Sequence, residues 1–180
     1  MKKIGFIGIG LMGLPMAKNL LKAKYELKAF NRTIKKAEPL KEFGAEISQS
    51  IKEVVSNNDI IITMLTDDVS VDQVMEDKDF LENIKPGATV IDMSSVKPET
   101  AKSHGENLKS KNINYLDAPV SGGTIGAEEA TLAIMVGGEQ KVFDDNIDIL
   151  KVMGNPTLVG PLTSGQVSKL ANQIIVSLTI

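Results

Sequence analysis

Apolar and polar residues follow one another along this chain in blocks of two alternating kinds. Short apolar runs recur at Lys3-Ile4-Gly5-Phe6-Ile7, Leu27 to Phe30, Asp59 to Leu65, Thr89 to Asp92, Ile113 to Asp117 and Leu132 to Val136. Runs of this length, rich in Ile and Val, suit strands buried on both faces. Between them the apolar positions take a helical spacing. It begins with Leu14-Pro15-Met16-Ala17-Lys18-Asn19-Leu20-Leu21 and continues near Lys35 to Phe43, over Val69 to Phe80, and, after a Pro86-Gly87 turn, from about Pro98 to Lys111. This repetition predicts an α/β domain with a mostly parallel, doubly wound sheet and helices on both faces. Ligands of such sheets lie beyond the carboxyl ends of the strands.

The junction of the first strand and first helix reads Gly8-x-Gly10-x-x-Gly13. In a Rossmann-type domain Gly8 permits the tight turn, Gly10 lets the backbone approach a pyrophosphate, and Gly13 lets helix and strand pack closely, while the helix start offers free N–H groups to the anion. Glycines at this spacing are common in ordinary turns; the flanking strand and helix patterns are what single this one out. Leu11 and Met12 complete the loop, and the turn predicts a dinucleotide site.

No internal repeat, low-complexity tract or long linker interrupts the alternation. From about Thr163 the pattern is again helical, with Val167, Leu170, Ala171, Ile174, Ile175 and Leu178 apolar, and it reaches Ile180 without Gly, Pro or a basic last turn. A helix without a stop signal tends to continue. The expectation is a dinucleotide-binding domain over 1–162 and the beginning of an interdomain helix over 163–180, the chain being a fragment; the alternative is a terminal helix packed on the sheet.

Composition narrows the function. With 180 residues, 42% of them hydrophobic, the chain supports one core. A formal net charge of -3 and 4% aromatic residues provide neither a basic stripe nor a stacking platform, which argues against a nucleic-acid partner. There is no cysteine, so there is no disulfide or thiolate metal site, and the single histidine, His104, cannot anchor a zinc cluster by itself; no metal is expected. The apolar stretch after Met1-Lys2-Lys3 is broken at once by glycines, and the apolar runs at Ile60 to Leu65 and Ile174 to Ile180 are too short to span a bilayer. A cytoplasmic protein without a membrane partner is expected.

The candidate chemistry lies after the strands. Where dinucleotide sites commonly place an acid for the adenosine ribose, this chain has Asn31-Arg32-Thr33. A guanidinium there pairs with a 2′-phosphate, and the neighbouring amide and hydroxyl add donors, so NADP is favoured over NAD; alternatively Arg32 is a solvated turn residue. Met64-Leu65-Thr66 and Ser94-Ser95 end two further strands and would line the cofactor, although they serve equally as helix caps. The segment Asp117 to Ala127 is rich in glycine, and Ser121 beside Gly122 and Gly123 makes a backbone cradle suited to a carboxylate, or a flexible turn. Lys169 shares a helix face with Gly165, Asn172 and Gln173. Burial beside a nicotinamide would lower its pKa into the range of a general acid or base, whereas most helix lysines are surface charges.

Taken together, these motifs resemble the β-hydroxyacid dehydrogenase family, which includes 3-hydroxyisobutyrate dehydrogenase, tartronate semialdehyde reductase and the glyoxylate and succinic semialdehyde reductases. Gly5 to Leu20 resembles its cofactor signature, Asp117 to Gly126 its substrate-binding segment, and Gly165 to Gln173 its catalytic segment, with the catalytic lysine falling on Lys169. The resemblance implies substrate contacts at Ser121, Gly122, Gly123 and Lys169 and at Asn172 or Gln173. It also implies a further all-helical domain that completes the cleft and forms a homo-oligomer. Three positions depart from the pattern: Gln173 stands where some members have Asn, Thr163 where a glycine is frequent, and Thr66 where many have Pro.

The expected reaction is hydride transfer from NADPH to a small carboxylate-bearing semialdehyde or oxoacid, with Lys169 protonating the oxygen and the reverse reaction oxidising a hydroxyacid. The isolated fragment is expected to bind cofactor without turnover. The alternatives are a noncatalytic NADP-binding or scaffold domain, and an imine reductase, a group that resembles this family at the cofactor end but generally lacks the lysine.

Overall fold

The computed structural model describes residues 2–179; Met1 and Ile180, the outer limits of the two expected segments, lie outside the described residues. Strand β1 (Ile4–Ile7) leads into α1 (Gly13–Lys22) and β2 (Leu27–Phe30), and β3 (Glu46–Ile47), α2 (Ile51–Val55) and β4 (Ile60–Thr63) complete the first half. The second half contains α3 (Asp68–Met75), α4 (Lys78–Asn83), β5 (Thr89–Asp92), α5 (Pro98–Ser110), β6 (Asn114–Asp117), β7 (Val120–Ser121) and α6 (Gly123–Glu129). It closes with β8 (Leu132–Gly137), α7 (Gln140–Lys151), β9 (Gly154–Gly160) and α8 (Ser164–Thr179).

The sheet runs β3-β2-β1-β4-β5-β6-β8-β7, with β9 also paired to β8. Its first six strands are all parallel, and their order reverses between β1 and β4, the switch point at which doubly wound folds bind ligands. Only at the far side does the sheet depart from parallel pairing, where β8 runs antiparallel to β6 and β7. The expected Rossmann-type, doubly wound architecture is the one observed.

Period-two alternation sorts the strand residues onto two cores. Ile4, Phe6, Ile60, Ile62, Ile91 and Leu116 face the core made with α1 and α7, while Ile7, Ile61, Val90 and Tyr115 face the one made with α2 to α5. With both faces covered, the strands carry continuous apolar runs, and each fully buried Ile or Phe contributes about 1.5–3 kcal/mol. Among the described residues no helix is long and apolar enough to cross a membrane.

The helix expected near Lys35 to Phe43 is instead two 3-10 turns, Ile34–Lys36 and Glu38–Phe43. Pro39 lacks the N–H needed to continue the first into the second, and Gly44 at φ +94° ends it. The helix expected over Val69 to Phe80 is two helices, because the Asp77 carboxylate accepts from the Asp79 and Phe80 N–H groups and starts α4 afresh. The glycine-rich segment after Asp117, read as a loop, contains β7 and α6.

Candidate active site

All six parallel strands end on one edge, so the turns after β1, β2, β4, β5 and β6 converge there. After β1, Gly8 sits at φ +101° and a Cβ on it would collide with the Met64 carbonyl oxygen, while a Cβ on Gly13 would collide with the Gly8 carbonyl oxygen. Internal packing therefore excludes side chains at both. At Gly10 a Cβ would meet nothing within 4 Å; its glycine is dictated by no neighbour in the fold, and the open space beside it fits an approaching pyrophosphate. The start of α1 has no side-chain cap at Met12 and no acidic residue in its first turn; the Leu14 N–H donates to the Gly10 carbonyl (3.0 Å) and Pro15 has none, so the N–H groups left for an anion are those of the turn up to Gly13. Leu11 projects into solvent, 84% exposed.

Asn31 lies at this turn, with its side chain turned inward. Its Oδ1 accepts from the Ile9 N–H (3.0 Å) and its Nδ2 donates to the Thr33 carbonyl (3.0 Å), tying the glycine turn to the end of β2. Arg32 and Thr33 are exposed beside it. The Arg32 guanidinium contributes to holding Asp67, across the switch point, below the usual carboxylate range, although hydrogen bonds from Ser70 dominate that effect.

At the ends of β4 and β5, Ser94 is fully buried and its Oγ accepts from the Leu65 N–H (2.9 Å). Asp92 below it accepts from the Thr63 hydroxyl (2.8 Å), the Ser94 N–H (3.1 Å) and the Tyr115 hydroxyl (3.3 Å). Burial pushes the Asp92 carboxyl up and these hydrogen bonds oppose it. Ser94 thus stitches two strand ends together, whereas Ser95 and Thr66 are exposed and Met64 and Leu65 half-buried.

Lys169 on α8 is half-buried, and desolvation lowers its pKa below the ordinary lysine value. It lines a cleft of about 230 Å³ together with Ser95, Val96, Gln166 and Gln173. One turn further, the Asn172 Nδ2 donates to the Ser121 Oγ (3.3 Å). The structure therefore brings Ser121 to Asn172, and Lys169 to Gln173 and Ser95. Gly122 and Gly123, at φ +138° and +63°, are exposed next to Ser121, and Gly123 opens α6 with an N–H that the helix leaves without an internal acceptor.

Two residues of this site escaped the sequence reading. Asp117, fully buried at the end of β6, accepts from the Thr163 N–H at Oδ1 (2.8 Å) and the Gln166 N–H at Oδ2 (2.9 Å). Gln166, 1% exposed, donates from Nε2 to the Ser94 carbonyl (2.8 Å) and accepts from the Val96 N–H at Oε1 (3.2 Å). Both lie inside segments already singled out, but their partners are distant in sequence. His104 likewise has neighbours that spacing conceals: it is buried, and Asp72 and Glu76 from α3 and its C-terminal end bring ligand atoms within 4.8 Å of it. The wider hollow of about 510 Å³, lined by Lys2, Asp59, Lys85 and Asn114, lies at the opposite, amino-terminal ends of the strands, away from the edge where doubly wound sheets bind ligands.

A family model described as the NAD binding domain of 6-phosphogluconate dehydrogenase matches residues 3–164. The 2-hydroxy-3-oxopropionate reductase of Escherichia coli (strain K12) is 43% identical over 182 residues, covering 99% of this chain and 61% of that protein. The NAD-dependent L-serine dehydrogenase of Pseudomonas aeruginosa is 38% identical over 174 residues, covering 96% of this chain and 58% of that protein. A solved Mycobacterium tuberculosis 3-hydroxyisobutyrate dehydrogenase with L-serine matches with a TM-score of 0.94 at 32% identity, covering 98% of this chain and 60% of that one. The chain thus spans 58–61% of the length of these relatives.

Proposed function

Because the chain belongs to the β-hydroxyacid dehydrogenase family, we propose that it carries the dinucleotide site and the proton donor of an NADPH-dependent reductase. Its substrate is a small carboxylate-bearing semialdehyde or oxoacid, interconverted with the hydroxyacid. The observation that carries the reading is Lys169, half-buried in the cleft it shares with Ser95, one helical turn from the Asn172–Ser121 contact.

The residues present fit the cofactor. The turn from Gly8 to Gly13 and the uncapped start of α1 hold the pyrophosphate. Arg32 and Thr33, exposed at the end of β2, meet the 2′-phosphate, and Asn31 holds the turn in shape from within. The preference for NADP rests on Arg32, since one of the relatives is named NAD-dependent. When bound, the reduced nicotinamide supplies a hydride.

Lys169, as ammonium, gives a proton to the substrate's carbonyl oxygen and takes it back from the hydroxyl in the reverse direction. Desolvation in the cleft lowers its pKa below the ordinary lysine value, which makes the ammonium a stronger proton donor. Ser121 and the N–H groups of Gly122 and Gly123 hold the substrate carboxylate, and Asn172, bonded to Ser121, sets the hydroxyl's direction. Gln173 borders the same cleft as Lys169. In this reading α8 leads to a helical domain that closes the cleft and supports a homo-oligomer in the cytoplasm.

The test is NADPH oxidation by the full-length protein with glyoxylate, tartronate semialdehyde, methylmalonate semialdehyde and succinic semialdehyde, repeated with NADH. Turnover of at least one, faster with NADPH, is expected. Inactivity on all four returns the chain to a noncatalytic dinucleotide-binding domain.

A further inference from the structure

Helix α8 brings Lys169 and Asn172 to the cleft, yet it holds to the sheet chiefly through its first turn. Beyond it, Val167, Leu170, Ile174, Ile175 and Leu178 are all at least half exposed. The helix has no acid of its own in that turn, and Thr163, which precedes it, adopts a left-handed φ of +81°. The orphan N–H groups of a helix start need acceptors. Here the acceptor comes from another element: the Asp117 carboxylate spans the Thr163 and Gln166 N–H groups from the end of β6. The junction admits nothing larger than glycine on either side. An ideal Cβ on Gly165 would lie 2.6 Å from the Asp117 carbonyl oxygen and 2.8 Å from its Oδ2. One on Gly137 would collide with Asp117 Oδ1.

We propose that Asp117 is the positioning residue of the reaction: by capping α8 from the sheet, it fixes the distance and rotation at which Lys169 meets the substrate. A cap carried on α8 itself would satisfy the same N–H groups while leaving the helix free to shift against the sheet edge. A cap from β6 couples the helix to the strand whose continuation carries Ser121, so that proton donor and carboxylate cradle move as one. Gln166, bonded through its side chain to the Ser94 carbonyl and the Val96 N–H, tethers the same turn to the end of β5. Lys169 follows Gln166 at i+3 and so lies on nearly the same face. Perturbed buried carboxylates of this kind cluster at functional sites.

The inference rests on the role given to Lys169 above, and its test separates the two. In full-length enzyme saturated with NADPH, Asp117→Asn keeps the shape but offers one acceptor oxygen in place of two. Amide exchange at Thr163 or Gln166 is expected to quicken roughly tenfold, the worth of one hydrogen bond. Reductive methylation of Lys169, read by mass spectrometry, should change severalfold. With the panel substrate turned over fastest, kcat should fall roughly 10- to 100-fold, as for a misplaced catalytic group, at unchanged NADPH affinity. Unaltered exchange and labelling overturn the proposal, as does altered labelling with unchanged kcat. If the variant fails to fold, exchange in the wild type decides: Thr163 and Gln166 amides protected as strongly as the sheet uphold the cap, and unprotected ones overturn it. A panel without turnover counts against the reductase reading, while labelling still decides whether Asp117 holds the helix.

Discussion

At the β1–α1 turn the backbone is fixed by its own neighbours, whereas at α8 it is fixed from a distance. Gly8 and Gly13 are packed against each other and against Met64, and Asn31 buttons the turn to β2 with two hydrogen bonds. No buried charge takes part. The α8 start depends instead on a buried carboxylate on β6 and a buried amide tied to the end of β5, and the rest of the helix is largely exposed. Under the proposed function, the difference predicts that steric changes at the β1–α1 turn act on cofactor affinity, while changes to the polar anchor of α8 act on turnover.

The sharpest way to break this contrast is Gly13→Ala. A methyl there has no room against the Gly8 carbonyl, so helix and turn must separate. Overpacking of this kind costs about 1–3 kcal/mol, and calorimetry should show a loss at the upper end of that range together with weakened NADPH binding.

The second half makes a different demand, visible in pH dependence. Burial raises Asp117 from 3.8 to about 6 against the opposing hydrogen bonds of Gln166 and Thr163. The folded state therefore binds this proton more tightly than the unfolded one, so the group lowers stability as pH rises from 3.8 to about 6, a change on the order of 3 kcal/mol. Asp117→Asn should lack that component. Denaturant titrations of both proteins across the window check it, and parallel curves would remove the buried charge from the account.

Arg32→Ala should abolish roughly 1–3 kcal/mol of preference for NADPH over NADH, the range for hydrogen bonds to charged groups, with stability unchanged. Fluorescence titration with both cofactors measures it; equal affinities before and after leave Arg32 a solvated turn residue. The smallest effect is expected at Asn31→Ala, about 1 kcal/mol of cofactor affinity from a loosened turn, and it should fall on NADPH and NADH alike. An effect confined to NADPH would put the amide on the phosphate instead.

The legibility of the sequence follows the same division. Gly8, Gly10 and Gly13 could be read because their reasons lie within a few residues, and the strands at Leu27 to Phe30 and Thr89 to Asp92 because continuous apolar runs have one economical burial. Lys169, Ser121 and Asn172 could be placed together only through family resemblance, since no local pattern brings position 121 to position 172. The Asp117 anchor stayed hidden because its partners are 46 and 49 residues away. Asn31 is expected at the cofactor from its place after β2, and no local pattern announces that its amide is also bonded to Ile9, 22 residues away. No apolar run marks strand β9, which carries Gly154, Pro156 and Gly160; these residues are accommodated because it pairs with β8 alone among the described strands.

The central claim is that the Lys169 ammonium supplies the proton, and the pH profile of carbonyl reduction by the full-length enzyme tests it most directly. The acid form is required for reduction, so the wild-type rate should fall as pH rises through a pKa below the ordinary lysine value. Lys169→Ala should lose that alkaline limb and roughly 10² to 10⁴ in kcat, with NADPH still bound. A variant that keeps both the limb and the rate would contradict the account.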